Sequence, residues 1–251
     1  MCMTPLEPLV ALEGLHAIKH AVRFNATVTQ IITDDLESVL TLADTYAPEL
    51  RPLLETRAET MPAAEFRQLT AQPIHTHVLA YAERTAWTFK QATPKSKHPT
   101  VLLDDPRNSK NIGAVIRVAA AAGATGVMIN GTADAFDPMA VRGAAGLQWA
   151  IPSYSSPSIL SGLDDLRTRQ PLVVVGLDAD GETYHPTRLA PPTIFAFGSE
   201  RSGLSDALRS RCDRIVSLPM RDNVSSLNLA TCVSAVLYLA TYAWEEATPT
   251  R

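Results

Sequence analysis

Arg117 is the residue whose type and setting most invite chemistry. It is the single cation on a helix-length run, Ile112 to Ala122, otherwise built of Ile, Val, Ala and Gly. A guanidinium cannot shed its proton, so it must reach water, an acid or a bound anion. Snorkelling to solvent would be enough to explain it, but its location argues for a site. Asn111 precedes it in the polar loop after Val101-Leu102-Leu103, and open α/β sheets bind ligands outside the carboxyl ends of their strands. A second loop of this kind, Gly198-Ser199-Glu200-Arg201-Ser202-Gly203-Leu204, follows the apolar run Ile194–Phe197. A carboxylate such as Glu200 can orient a guanidinium through paired hydrogen bonds, although an exposed loop acid is the plainer use. Ser226 and Asn228 stand where a long apolar helix opens. Serine before such a helix is ordinary N-capping, whereas Asn228, placed within the expected first turn, is less easily explained as a cap. Both would sit where a helix N-terminus favours negative charge.

The elements that must position these groups follow from hydrophobic patterning. Val101–Leu103 reads as a buried strand, the helix from about Ile112 stops at Gly123, and Gly126–Ile129 is the next strand. Asp137-Pro138 starts a helix that carries Arg142 and ends near Trp149. Leu172–Asp178, Ile194–Phe197 and Arg214–Leu218 supply further strands. Alternating strands and helices predict an α/β fold with a mostly parallel sheet and helices on both faces. Upstream, Leu15, Ile18, Ala21 and Val22 form a helical stripe, Val28, Ile31 and Ile32 a strand, and Leu36 to about Leu54 a helix despite Pro48 and Pro52. Short elements follow at 66–69 and 77–80. Residues 94–99, with Pro94, Lys95, Lys97 and Pro99, read as a linker. The expected domains are therefore 1–93, a small α/β unit, and 100–251.

Taken in order, Asn-x-Gly-x-x-x-Arg at 111–117, Gly-Ser-Glu-x-x-Gly-Leu at 198–204, and Leu-Pro-Met with Ser-Ser-Leu-Asn-Leu at 218–229 resemble the three motifs of the SpoU-type RNA methyltransferases. The resemblance covers roughly residues 99–245. It implies a C-terminal trefoil knot, S-adenosylmethionine as cofactor, and transfer of a methyl group to a ribose 2′-hydroxyl of rRNA or tRNA, with rRNA the favoured partner. By the same resemblance Arg117 is the central catalytic residue, with Asn111, Glu200, Ser226 and Asn228 holding it and the ribose. Gly198, Glu200, Ile215, Leu218, Met220, Ser226 and Leu227 would surround the methyl donor. Arg142 would join Arg117 in contacting RNA. The family usually shows Arg-x-Ser-x-Gly at 142–146, but this chain has Ala144 in place of the hydroxyl residue. Such enzymes often carry a ribosomal-protein-like RNA-binding domain at the N-terminus, which Glu13–Ile18 and His75–Ala80 resemble. They also pair as twofold dimers through the C-terminal region, here the helix Leu227–Trp244, and that implies a homodimer. The alternative reading is a catalytically silent RNA-binding or assembly factor on the same fold.

Composition sets the outer limits. With 46% hydrophobic and 19% charged residues the chain is an ordinary globular one. Its net charge of −4 excludes a surface that grips nucleic acid all over, though not a local basic cleft. Cys2, Cys212 and Cys232 show no Cys-x-x-Cys spacing, which favours free thiols in a reducing, cytoplasmic setting. His75-x-His77 has no further ligand nearby, so no metal is expected. Glu7 and Glu13 precede any long apolar run, and Ser, Thr and Asn recur in the C-terminal helix, so neither a secretory leader nor a membrane span is expected.

Overall fold

Strands and helices alternate along the chain, and they gather into two units in a computed structural model that describes residues 9–70, 72–95, 98–188, 192–224 and 226–246. Cys2, Ser96, Lys97 and Ser225 lie outside the described residues. The first unit is Met1–Ala86 together with Ala145–Ala150. It runs β1 (Leu9–Glu13), α1 (Leu15–Arg23), β2 (Val28–Thr33), α2 (Leu36–Tyr46), α3 (Arg51–Arg57), β3 (Ala58–Thr60), α4 (Ala63–Phe66) and β4 (Val78–Glu83). The sheet order is β1-β4-β2-β3, antiparallel except for the β2–β3 pair. The stripe on α1 buries Leu15, Ala17, Ile18 and Ala21.

The single helix expected over 36–54 is two. It breaks at Ala47 (φ −158°, ψ 57°), and a 3-10 turn over Pro48–Leu50 leads into α3. Proline disfavours helical geometry in the residue before it, which is why Pro48 ends α2. Pro52 does no such damage because it lies in the first turn of α3, where its missing N–H is not needed.

The second unit is Trp87–Ala144 with Ile151–Arg251. Its elements are α5 (Phe89–Ala92), β5 (Thr100–Asp104), α6 (Ser109–Ala121), β6 (Gly126–Asn130), α7 (Pro138–Ala144), β7 (Ser153–Ser156), α8 (Ile159–Arg169), β8 (Val173–Thr183), β9 (Thr193–Phe197), α9 (Asp206–Arg209), β10 (Arg214–Ser217) and α10 (Leu229–Glu246). Six parallel strands stand in the order β10-β8-β9-β5-β6-β7. Such sheets are buried on both faces, and the strands accordingly read as continuous apolar runs. Leu102, Met128, Val174, Ile194 and Ala196 pack on one face with Ile159 and Leu163 of α8 and Leu208 of α9. Their strand neighbours point the other way, and Phe195 there stacks on Trp244 of α10.

The chain divides at Ala86/Trp87 rather than in the 94–99 stretch. Ala92 of α5 is fully buried in the core of the second unit, and Thr100 Oγ1 donates to its carbonyl at 2.7 Å. The helix expected to end near Trp149 ends at Ala144. Ala145 (φ 51°) and Gly146 (φ 76°) turn left-handed, and the 3-10 turn Leu147–Trp149 falls in the first unit. A Cβ on Gly146 would lie 2.3 Å from the Ala17 carbonyl oxygen, so glycine is required there twice over. Among the described residues no helix is long and apolar enough to cross a membrane.

Candidate active site

Two loops at the carboxyl ends of the strands build the site, and a buried acid fastens them. Asp104, at the end of β5 and 3% exposed, accepts from Asn130 Nδ2 and from the backbone N–H of Ser205, both at 2.8 Å. Its two carboxylate oxygens thereby tie the loop after β9 to the ends of β5 and β6. That loop is itself closed by reciprocal backbone bonds between Ser199 and Gly203 at 3.0 Å. The turn needs Gly203 at φ 66°, and a Cβ on Gly198 would lie 1.9 Å from the Gly203 carbonyl carbon. Glycine at both positions lets the loop fold back on itself and present Glu200.

Glu200 engages Asn111, not Arg117. Asn111 Nδ2 donates to Glu200 Oε1 at 2.6 Å, and Asn111 Oδ1 accepts from Asn228 Nδ2 at 3.2 Å. Asn228 Oδ1 in turn accepts from the N–H of Ala230 at 2.9 Å. Asn228 is therefore the N-cap of α10, correcting the expectation that Ser226 would cap and Asn228 would not. Three distant parts of the chain thus meet in one hydrogen-bonded line. Arg117 is exposed on α6, two turns beyond Lys110 on the same exposed face, and among the described residues no ion-pair partner holds it. The expectation that Glu200 orients its guanidinium is not met.

Beside this line opens a cleft of about 510 Å³, within the usual size of a small-molecule site. Gly198, Glu200, Leu218, Met220, Ser226, Leu227 and Asn228 line it, seven of the expected residues. Ile215 does not. The register of β10 on β8 shifts between Ile215, opposite Gly176, and Val216, opposite Glu182, and Val216 lies on the cleft side. Ile215 packs beneath, its Cδ1 2.8 Å from where a Cβ on Gly176 would stand. Sequence reading also missed Asp178, Ser217 and Cys232, which line the cleft too. The end of the Leu172–Asp178 run was the available signal for Asp178. Burial pushes the Cys232 thiol up to about 11, so it stays protonated.

A second, polar opening of about 710 Å³ shares Ser199 and Glu200 with the cleft and is edged by Asp105, Arg107, Asn108, Arg201 and Ser202. Arg142 is half-buried on α7 and lines neither opening. Ala144 is fully buried where α7 crosses α6, its N–H nitrogen 2.9 Å from the position of a Cβ on Gly113.

Residues 98–238 match the model of the SpoU rRNA Methylase family. The chain belongs to this family. Among its relatives is the 23S rRNA (uridine(2479)-2′-O)-methyltransferase of Streptomyces viridochromogenes, 36% identical over 169 residues that make up 65% of this chain and 59% of that protein. The 23S rRNA (guanosine-2′-O-)-methyltransferase RlmB of Haemophilus influenzae is 28% identical over 66% of this chain and 69% of its own length. In sequence, this SpoU family member thus spans well under two thirds of the first of these relatives. Among solved structures, the SpoU methyltransferase AviRb of Streptomyces viridochromogenes, in complex with AdoMet, superimposes with a TM-score of 0.78 at 28% identity, covering 96% of this chain and 91% of that one.

Proposed function

We propose that this chain is an RNA methyltransferase that moves a methyl group from S-adenosylmethionine to a ribose 2′-hydroxyl of rRNA. The observation that carries the reading is the Glu200–Asn111–Asn228 line, which ties the first family motif to a cleft lined by the second and third. The cleft suits the donor's mixed chemistry. Leu218, Met220 and Leu227 offer apolar surface, while Ser217, Ser226 and Glu200 offer polar groups. When bound, S-adenosylmethionine supplies an electrophilic methyl group. The rRNA activities named for the two relatives support rRNA as the acceptor.

In this reading the chain's own residues position and polarise. The ribose hydroxyl is a weak nucleophile until its proton is taken or its developing charge stabilised, and holding it in line supplies much of the barrier reduction. Arg117, paired with no acid among the described residues, binds the phosphate of the target nucleotide and helps draw off the proton. Glu200, through Asn111, fixes the amide that faces the ribose. Arg142 contacts RNA outside the cleft. The first unit selects the RNA. The chain from the edge strand β10 back to α10, which lies against α6, forms the trefoil knot of the family. Tyr238, Leu239 and Tyr242, 52%, 48% and 65% exposed along α10, form the dimer contact. The protein works in the cytoplasm, where its thiols stay reduced.

Ribose methylation should be mapped in rRNA from cells with and without this gene, alongside calorimetry of the purified protein with S-adenosylmethionine. The expected result is the loss of one ribose methyl group and a saturable donor isotherm. An unchanged rRNA methylation map would overturn the substrate, and absence of donor binding would overturn the whole reading.

A further inference from the structure

The cleft holds a charge that the proposed chemistry does not use. Among the described residues its lining includes two acids, Asp178 and Glu200, and no Lys, Arg or His. Glu200 is engaged with Asn111. Asp178 has a different anchor. Arg209 Nη1 donates to Asp178 Oδ2 at 2.7 Å, and Arg209 Nη2 donates to both oxygens of Asp180 at 2.9 Å. The guanidinium holds Asp180 below the usual carboxylate range. The Asp178 side chain is 24% exposed and that of Asp180 69%, so the inner acid meets the cleft and the outer one meets solvent. Two acids on one arginine leave the trio with a net negative charge. Asp178 Oδ2 also stands 3.6 Å from where a Cβ on Gly203 would be, against the loop that presents Glu200.

We propose that the Asp178 carboxylate selects the charged methyl donor over its spent product. The inference rests on the S-adenosylmethionine reading above. The donor carries a sulfonium and an ammonium against one carboxylate, hence a net positive charge. Once the methyl carbon bonds to the ribose oxygen, the C–S bond breaks and its electron pair stays on sulfur. The hydroxyl proton goes to solvent. S-Adenosylhomocysteine, a thioether, is left with no net charge. A fixed carboxylate in the cleft attracts the first species and not the second, whereas the apolar lining holds both alike. Arg209 keeps the carboxylate in place, and Asp180 offsets the cation that does so. For a group this open to solvent the discrimination is about five- to tenfold.

Calorimetry with S-adenosylmethionine and S-adenosylhomocysteine on wild type, Asp178→Asn and Asp180→Asn tests this. Asparagine still accepts from Arg209, so only the charge is removed. Asp178→Asn should weaken donor binding about five- to tenfold while product affinity stays within about twofold. Asp180→Asn should leave the ratio of the two affinities near wild type. Equal weakening of both ligands, no weakening of either, or the same change of ratio in both variants would overturn the proposal. A wild type that binds neither ligand would overturn the donor reading instead. A measurement needing no variant runs beside these. Added salt should weaken wild-type binding of the donor more than that of the product, and an equal response to salt would refute the charge effect.

Discussion

Asn228 has two separable tasks, and two substitutions pull them apart. Its Oδ1 caps α10, and its Nδ2 donates to Asn111. In Asn228→Asp the cap survives, and the added charge is favourable at a helix N-terminus. The line to Glu200 does not survive. Glu200 can only accept, so Asn111 must turn its amide nitrogen toward it and its carbonyl oxygen toward residue 228. With aspartate there, either orientation of Asn111 leaves two acceptors facing each other. A hydrogen bond to a charged group is worth about 1.5–3 kcal/mol. Exposure of this line to solvent cuts that to about 1–1.5 kcal/mol, roughly a tenfold loss of turnover if the energy is lost in the transition state. Asn228→Ala removes the cap as well, at a cost of about 1 kcal/mol, which for a chain of this size lowers Tm by about 2–4 °C. Thermal unfolding and single-turnover methylation of both variants provide the check. The expected pattern is Tm held in Asn228→Asp and lowered in Asn228→Ala, with activity down about tenfold or more in both. Wild-type turnover in Asn228→Asp would refute the idea that the amide line matters to catalysis. A Tm for Asn228→Ala equal to that of wild type would refute the cap.

Arg117→Ala should abolish methyl transfer while leaving donor binding by calorimetry and thermal stability intact. Arg117→Lys should not rescue it, because a point charge cannot reproduce a planar fork. Leu239→Glu places a charge on the exposed stripe of α10 and should yield a folded monomer near 27.1 kDa by sedimentation. Leu237→Glu, by contrast, buries that charge at a position with no exposure and should unfold the protein. Gly113→Ala gains about 1 kcal/mol of helix propensity but drives its Cβ to 2.1 Å from the Ala140 carbonyl oxygen. Overpacking against backbone costs about 1–3 kcal/mol, so a net fall in Tm is expected in a melting curve, with activity falling too if α6 shifts Asn111.

Much of this protein is written locally in its sequence. The buried runs of β5, β6, β8 and β9 and the stop of α6 at Gly123 follow from apolar patterning and from the one residue that turns left-handed without strain. The second and third motifs led to seven of the cleft residues because loops at strand ends keep their place whatever the exact register. Elements with weak local signals escaped. Leu9–Glu13 is a strand because β4 lies beside it, and Ser153–Ser156 because it pairs with β6. Ile215 lies off the cleft lining beside a break in register where β8 passes from Gly176 to Glu182 opposite consecutive residues of β10, a feature of pairing rather than of composition. The partner of Glu200 could not be read either. A carboxylate fits a guanidinium or an amide equally well in one dimension. Only the packing of α6 against α10 brings Asn111 within reach of both Glu200 and Asn228 and leaves Arg117 exposed on the surface of α6. Residue types and order are local properties of the chain, while hydrogen-bond partners are set by distances that exist only once distant segments have packed.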